Sequence, residues 1–180
     1  MKIQARENAA AMPQTQEGAP DSKAGAHLES ILKGKVVILG IGNRLRGDDG
    51  FGPALMDRLR GKIRAACIDA GTVPESYAGK VARENPDTIL LVDAAHLARA
   101  PGEFEILDKD AIAEVGFTTH DMSPRLVIAY LDKETGAAIY MLAVQPESVA
   151  FGEGLSPSVA RALDCIRDLL CRRLGPGAKP

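Results

Sequence analysis

The apolar run VVIL, residues 36–39, passes without a spacer into GIGNRLRGDDGFG, residues 40–52, and this junction limits the fold more than any other stretch. Four apolar residues are too few for a buried helix and suit a strand buried on both faces. The glycines that follow make a tight turn, and Pro53 is accepted in the first turn of a helix, so the helix is expected to begin between Asp49 and Pro53. In an open parallel sheet, such a strand-to-helix turn lies at the carboxyl edge of the strands, where ligand crevices form.

The rest of the chain repeats this texture. Further strands are expected at Ala65–Asp69, Thr88–Val92, Pro101–Asp108 and Ala137–Val144, with helical patterns over PESYAGKVAREN, DKDAIAEVG and from Ser123 to Leu131. Thr88–Val92 reads as a central, doubly covered strand, and Pro101–Asp108, behind a Pro-Gly turn, as an edge strand. The last helix has Ser156 as cap, Pro157 at its start, Val159, Leu163, Ile166, Leu170 and Leu174 at helical spacing, and Gly175 as stop. Alternation of strand and helix predicts an α/β fold: a twisted, mostly parallel sheet of about five strands with helices on both faces. Residues 1–34, rich in polar and small residues apart from the short AHLESIL segment, are expected to be a mobile extension, with residues 35–180 as one domain.

Composition removes several function classes. A formal net charge of -2 from 22 basic and 24 acidic residues leaves no basic footprint for nucleic acid. No apolar run reaches the roughly 18 residues that a bilayer span requires, and the N-terminus lacks the apolar core of a signal peptide, so no membrane insertion and a cytoplasmic location are expected. Cys67, Cys165 and Cys171 form no CxxC pair and read as reduced, buried thiols.

Gly40-Ile41-Gly42 after a strand invites a dinucleotide reading, but the third glycine of that motif would fall at Leu45. The neighbouring carboxylates Asp48 and Asp49 would repel a pyrophosphate. No nucleotide is therefore expected, and a cation is the better guest. Asp93, at the end of the central strand, reaches the same edge, as ligand or as partner of Arg44, Arg46 or Arg125. His120, in TTHDM, completes two carboxylates and one imidazole from separate loops, with His96 as its competitor. That donor set leaves open positions and suits Fe, Ni, Zn or Mn. Asp69 and Glu75 add acidity nearby. Neither a nucleophile elbow nor an HExxH pair is present, so bond cleavage here would use activated water and carboxylates.

Six segments in order, GIGNRLRGDDGFGP, IDAGTVPE, DTILLVDAA, PGEFEILD, TTHDM and VQPE, resemble the maturation endopeptidases of [NiFe]-hydrogenases, the formate hydrogenlyase type in particular, across roughly residues 35–175. The resemblance implies an endopeptidase that removes the C-terminal extension of the hydrogenase large-subunit precursor after nickel insertion. It implies nickel contacts at Asp49, Asp93 and His120, with the metal carried mainly by the substrate. Asp48, Asp49 and a metal-activated water are the candidates for the catalytic chemistry. A nickel-sensing chaperone that binds precursor without cutting it is the alternative, and a monomer is expected.

Overall fold

The computed structural model describes residues 22–112 and 124–177. Eleven elements follow in order: α1 (Ser22–Ile31), β1 (Val36–Ile41), α2 (Phe51–Leu59), β2 (Ala65–Gly71), α3 (Ala78–Arg83), β3 (Thr88–Ala94), β4 (Phe104–Asp108), α4 (Lys109–Ile112), α5 (Pro124–Thr135), β5 (Ala138–Val144) and α6 (Pro157–Leu174). Short 3-10 turns at Gly47–Gly50 and Pro74–Tyr77 precede α2 and α3. The five strands form one sheet in the order β2-β1-β3-β5-β4, parallel except for the β4/β5 pair at one edge.

The side chains of each strand alternate between two aliphatic layers, as the pleat requires. Val36, Ile38, Leu90, Val92, Leu142 and Val144 meet α1, α2 and α6 on one face. Val37, Leu39, Ile89, Leu91, Ile139 and Met141 meet Val81 of α3, Ile112 of α4, and Val127, Ile128 and Leu131 of α5 on the other. Every residue of β1 and β3 is buried, the mark of central strands covered on both sides. The α/β architecture expected from the sequence is therefore present, with β4 as the antiparallel edge.

Two boundaries differ from expectation. Residues 22–31, within the segment expected to be a mobile extension, form α1, and Leu28 and Ile31 of this helix with Leu32 just after it are buried against the first layer beside Phe104 and Ile106. That burial anchors the segment: three apolar side chains at helical spacing outweigh its polar composition. The second difference is in β3, which continues through Asp93 to Ala94 because β5 supplies pairing partners at Ala143 and Val144. Asp93 lies inside the sheet, not beyond it.

A candidate active site between two buried carboxylates

Neighbouring strands β1 and β3 part at their carboxyl ends, since the chain leaves β1 toward β2 on one side and returns to β3 on the other. This is the switch point at which open α/β sheets place ligands. The glycine loop fills one wall of it. Gly42, at a φ of 134° that disfavours any other residue, lies so close to residue 49 that a Cβ would fall 1.8 Å from the Asp49 carbonyl oxygen. Gly52 seats the start of α2 between the strands: a Cβ there would come within 2.3 Å of the Ile41 oxygen and 2.5 Å of the Val92 oxygen. Leu45 occupies the position of the missing nucleotide-motif glycine, but Gly52 provides the close helix-to-strand packing. The glycines serve backbone contact within the protein.

Asp49 is fully buried on this loop, and its Oδ2 accepts the Asn43 N–H at 2.9 Å. Asp93, 2% exposed, faces it from β3, and its Oδ1 accepts the N–H of the adjacent Ala94 at 2.8 Å. Among the described residues, no Lys, Arg or His forms an ion pair with Asp93. Burial raises the pKa of Asp93 well above the usual carboxylate range, the negative charge of Asp49 raises it further, and the Ala94 N–H offsets part of this. Among the described residues, no set of three metal-binding side chains converges, and His120 lies outside those residues. His96 is exposed just beyond β3.

Asp48, adjacent in sequence, has a different environment. Its Oδ2 accepts the backbone N–H groups of Glu147 at 2.8 Å and Ser148 at 3.0 Å and the Ser156 hydroxyl at 3.0 Å, while Oδ1 accepts the Ser156 N–H at 2.6 Å. Backbone bonds Gly47 N–H to Gly152 O and Gly152 N–H to Leu45 O close the same junction. Asp48 thus fastens the glycine loop to the segment between β5 and α6. The expected cap Ser156 sits at the cap position, but its hydroxyl makes no capping bond to α6 and turns to Asp48 instead.

Arg44, a candidate partner for Asp93, holds the loop from outside: its guanidinium pairs with Asp57 of α2 and Asp69 of β2, each at 2.7 Å, and donates to the Pro53 oxygen at 3.0 Å. Asp69 is consequently engaged with Arg44 and with the Gly71 N–H. Arg46 donates to the Val149 oxygen at 3.2 Å, and Glu75 sits half-buried on the 3-10 turn before α3. Gln145, buried at the end of β5, was not singled out as functional from sequence. Its Oε1 accepts the Leu97 N–H at 2.7 Å and its Nε2 donates to the Pro146 oxygen at 3.0 Å, which fixes the turn after Asp93. Only the VQPE motif signals Gln145, and nothing local signals the pairing of Ser156 with a residue 108 positions away.

Known proteins resemble this chain in sequence and fold. The family described as HycI, hydrogenase maturation protease, matches residues 53–173. The hydrogenase 3 maturation protease of Escherichia coli strain K12 is 33% identical over 133 residues, which cover 72% of this chain and 85% of that protein. The crystal structure of a [NiFe] hydrogenase maturation protease HycI from Thermococcus kodakarensis KOD1 superposes with a TM-score of 0.75 at 34% identity, covering 82% of this chain and 98% of that one. The solution structure of the endopeptidase HycI from Escherichia coli gives 0.71 at 32%, covering 81% and 94%. With a family match over most of its length and relatives named as proteases, this chain belongs to the hydrogenase maturation protease family and is a peptidase.

Proposed function

We propose that this peptidase removes the C-terminal extension of a [NiFe]-hydrogenase large-subunit precursor after nickel has been inserted, and that it reads the nickel through Asp49, Asp93 and His120. One observation carries the proposal: Asp93 is buried, has no cationic partner among the described residues, and faces a second buried carboxylate across the β1/β3 crevice. A cation brought by the substrate favours the ionised form of Asp93, which burial and the charge of Asp49 disfavour, and a metal-free precursor brings no such compensation. The difference between the two precursors is thus a difference in binding free energy at the site, which makes nickel insertion a condition for cleavage.

Oxygen donors combined with one imidazole suit nickel arriving with open coordination positions. Asp48, with four hydrogen bonds to its carboxylate, acts as a positioning residue for Asp49. The reading includes no nucleotide, in keeping with a glycine loop packed against its own strand and helix.

The test is incubation of purified protein with nickel-loaded and nickel-free large-subunit precursor. Shortening of the loaded form alone is expected, together with loss of shortening in Asp49→Ala, Asp93→Ala and His120→Ala and full activity in His96→Ala. Equal cleavage of both precursors removes nickel reading from the proposal. Stable binding of precursor without any cleavage favours a chaperone role over trimming of this substrate.

A further inference from the structure

The loop over residues 40–52 holds five glycines and keeps more backbone freedom than an ordinary turn, so its position depends on contacts with the rest of the fold. Its second half is fastened through Asp48. Its first half is a turn over residues 43–46, closed by the Arg46 N–H on the Asn43 oxygen at 3.0 Å and by the Leu45 N–H on Asn43 Oδ1 at 2.9 Å. With its side chain occupied inside the turn, Asn43 gives its backbone N–H to Asp49 Oδ2 at 2.9 Å. The direction of the Asp49 carboxylate thus depends on where this turn stands.

Arg44, inside the turn, braces it. Its Nη1 donates to Asp57 of α2 and its Nη2 to Asp69 of β2, each at 2.7 Å, and Nη2 also reaches the Pro53 oxygen of α2 at 3.0 Å. The guanidinium fork therefore leans on a helix and a strand at once, which the point charge of a lysine could not do. Asp69 is itself held: its Oδ1 accepts the Gly71 N–H at 3.0 Å, and the Gly71 oxygen accepts the Gly42 N–H at 2.9 Å. The turn also lies against the residue after Asp49, since a Cβ on Gly50 would come within 3.1 Å of the Arg44 Cα and 3.7 Å of the Asn43 oxygen. A displacement of Arg44 is passed to both ends of the bond between Asn43 and Asp49.

We infer that Arg44 is a positioning residue: it holds the Asn43 N–H on Asp49 and so fixes the direction in which that carboxylate faces the β1/β3 crevice. This role rests on the reading of Asp49 as a nickel contact given above. Stability does not account for the brace. The side chains of Arg44, Asp57 and Asp69 are 47%, 53% and 26% exposed, and ion pairs so open to water add little to folding. Misplacement of a group at a reacting centre, by contrast, costs rate steeply, because the productive geometry is narrow. Loss of the brace should slow the chemistry while leaving the fold and the capture of precursor intact.

The experiment compares the full chain with Arg44→Ala, Arg44→Lys and the double variant Asp57→Asn/Asp69→Asn, whose amide oxygen at position 69 can still accept the Gly71 N–H. Two readouts are taken: hydrogen exchange of the Asn43 amide, which needs no substrate, and kcat and KM for cleavage of a nickel-loaded large-subunit precursor. In all three variants the Asn43 amide is expected to exchange about tenfold faster, with protection of β1 and β3 unchanged. Each should lose kcat by roughly 10–100-fold with KM within about twofold of the parent. Melting temperatures should stay within about 4 °C. Arg44→Ala added to the double variant should cost no further rate, since the brace is already gone. Parent-like exchange at Asn43 in Arg44→Ala overturns the inference, as does parent kcat in Arg44→Ala or Arg44→Lys. Raised KM with parent kcat assigns Arg44 to direct contact with precursor, and a kcat loss matched by lower protection throughout the sheet makes Arg44 a merely structural residue; either overturns it. Absence of cleavage by the parent chain overturns the proposed substrate, while Asn43 exchange still decides the brace.

Discussion

Asp48 accepts both the backbone N–H and the hydroxyl of Ser156, at 2.6 and 3.0 Å, and so ties the turn that carries Asp49 to the start of the last helix. Adjacent carboxylates have divided the work: one is satisfied by neighbouring polar groups, the other borders the crevice.

Asp48→Ala leaves the part-buried N–H groups of Glu147, Ser148 and Ser156 without their acceptor. Each lost bond exposes the desolvation cost of its donor, so a loss of about 2–4 kcal/mol in urea denaturation is expected. Amide exchange at those three residues should accelerate more than at the core strands. Equal protection in parent and variant would show that the segment holds its place without Asp48.

For Asp93 the sign of the pH effect is opposite to that of a salt-bridged carboxylate. Its folded-state pKa is raised, so the native chain keeps a proton that the unfolded chain releases above about pH 4. Its contribution is full below that pH and is lost as pH rises toward the folded-state value. Asp93→Asn, which cannot ionise, should therefore unfold at a temperature roughly 2–5 °C higher than the parent at pH 7 and close to it at pH 4. The same variant should fail to process precursor. A lower melting temperature at pH 7 would refute the buried-charge account.

Gly42→Ala should be among the most damaging single changes. The added methyl carbon would need the space of the Asp49 carbonyl, 1.8 Å away, at a φ of 134° that L side chains rarely adopt. A loss of roughly 3 kcal/mol or more, or failure to accumulate folded protein, is expected from circular dichroism and denaturation. Gly61→Ala carries a milder penalty, because its positive φ of 74° is strained but nothing lies within 4 Å.

Cys67 gives a chemical readout of the core. Burial, partly offset by Arg60, pushes its thiol up to about 11. Alkylation by iodoacetamide at pH 8 should be more than about tenfold slower than for an unperturbed thiol, because the thiolate is the reacting species. The rate should climb as pH approaches that value. Fast modification of Cys67 in the folded protein would contradict its half-buried position on β2.

The strands and the pairing of Asp49 with Asp93 were legible in the sequence because both follow from local pattern: short apolar runs, a turn of glycines, and a carboxylate at the end of a buried run. Three features were not. β3 absorbs Asp93 because β5 extends far enough to pair with it, and that depends on a strand 50 residues away. Arg44 offers no local sign that its guanidinium spans Asp57 and Asp69, which come from different elements. Residues 28, 31 and 32 carried a helical pattern inside a polar segment, and only the uncovered flank beside Phe104 and Ile106 gives that pattern a place to bury. Tertiary contacts decide each of these, and a one-dimensional reading does not contain them.

The seat of α2 at Gly52 has a geometric consequence. The backbones of α2, β1 and β3 are in mutual contact there with no room for a methyl group, so the helix that follows Asp49 has a fixed seat against the two strands. The crevice is then a depth gauge of fixed reach. Under the proposed nickel reading, a precursor must carry its metal to a set distance before both carboxylates can touch it, and one whose metal centre is wrongly folded stops short.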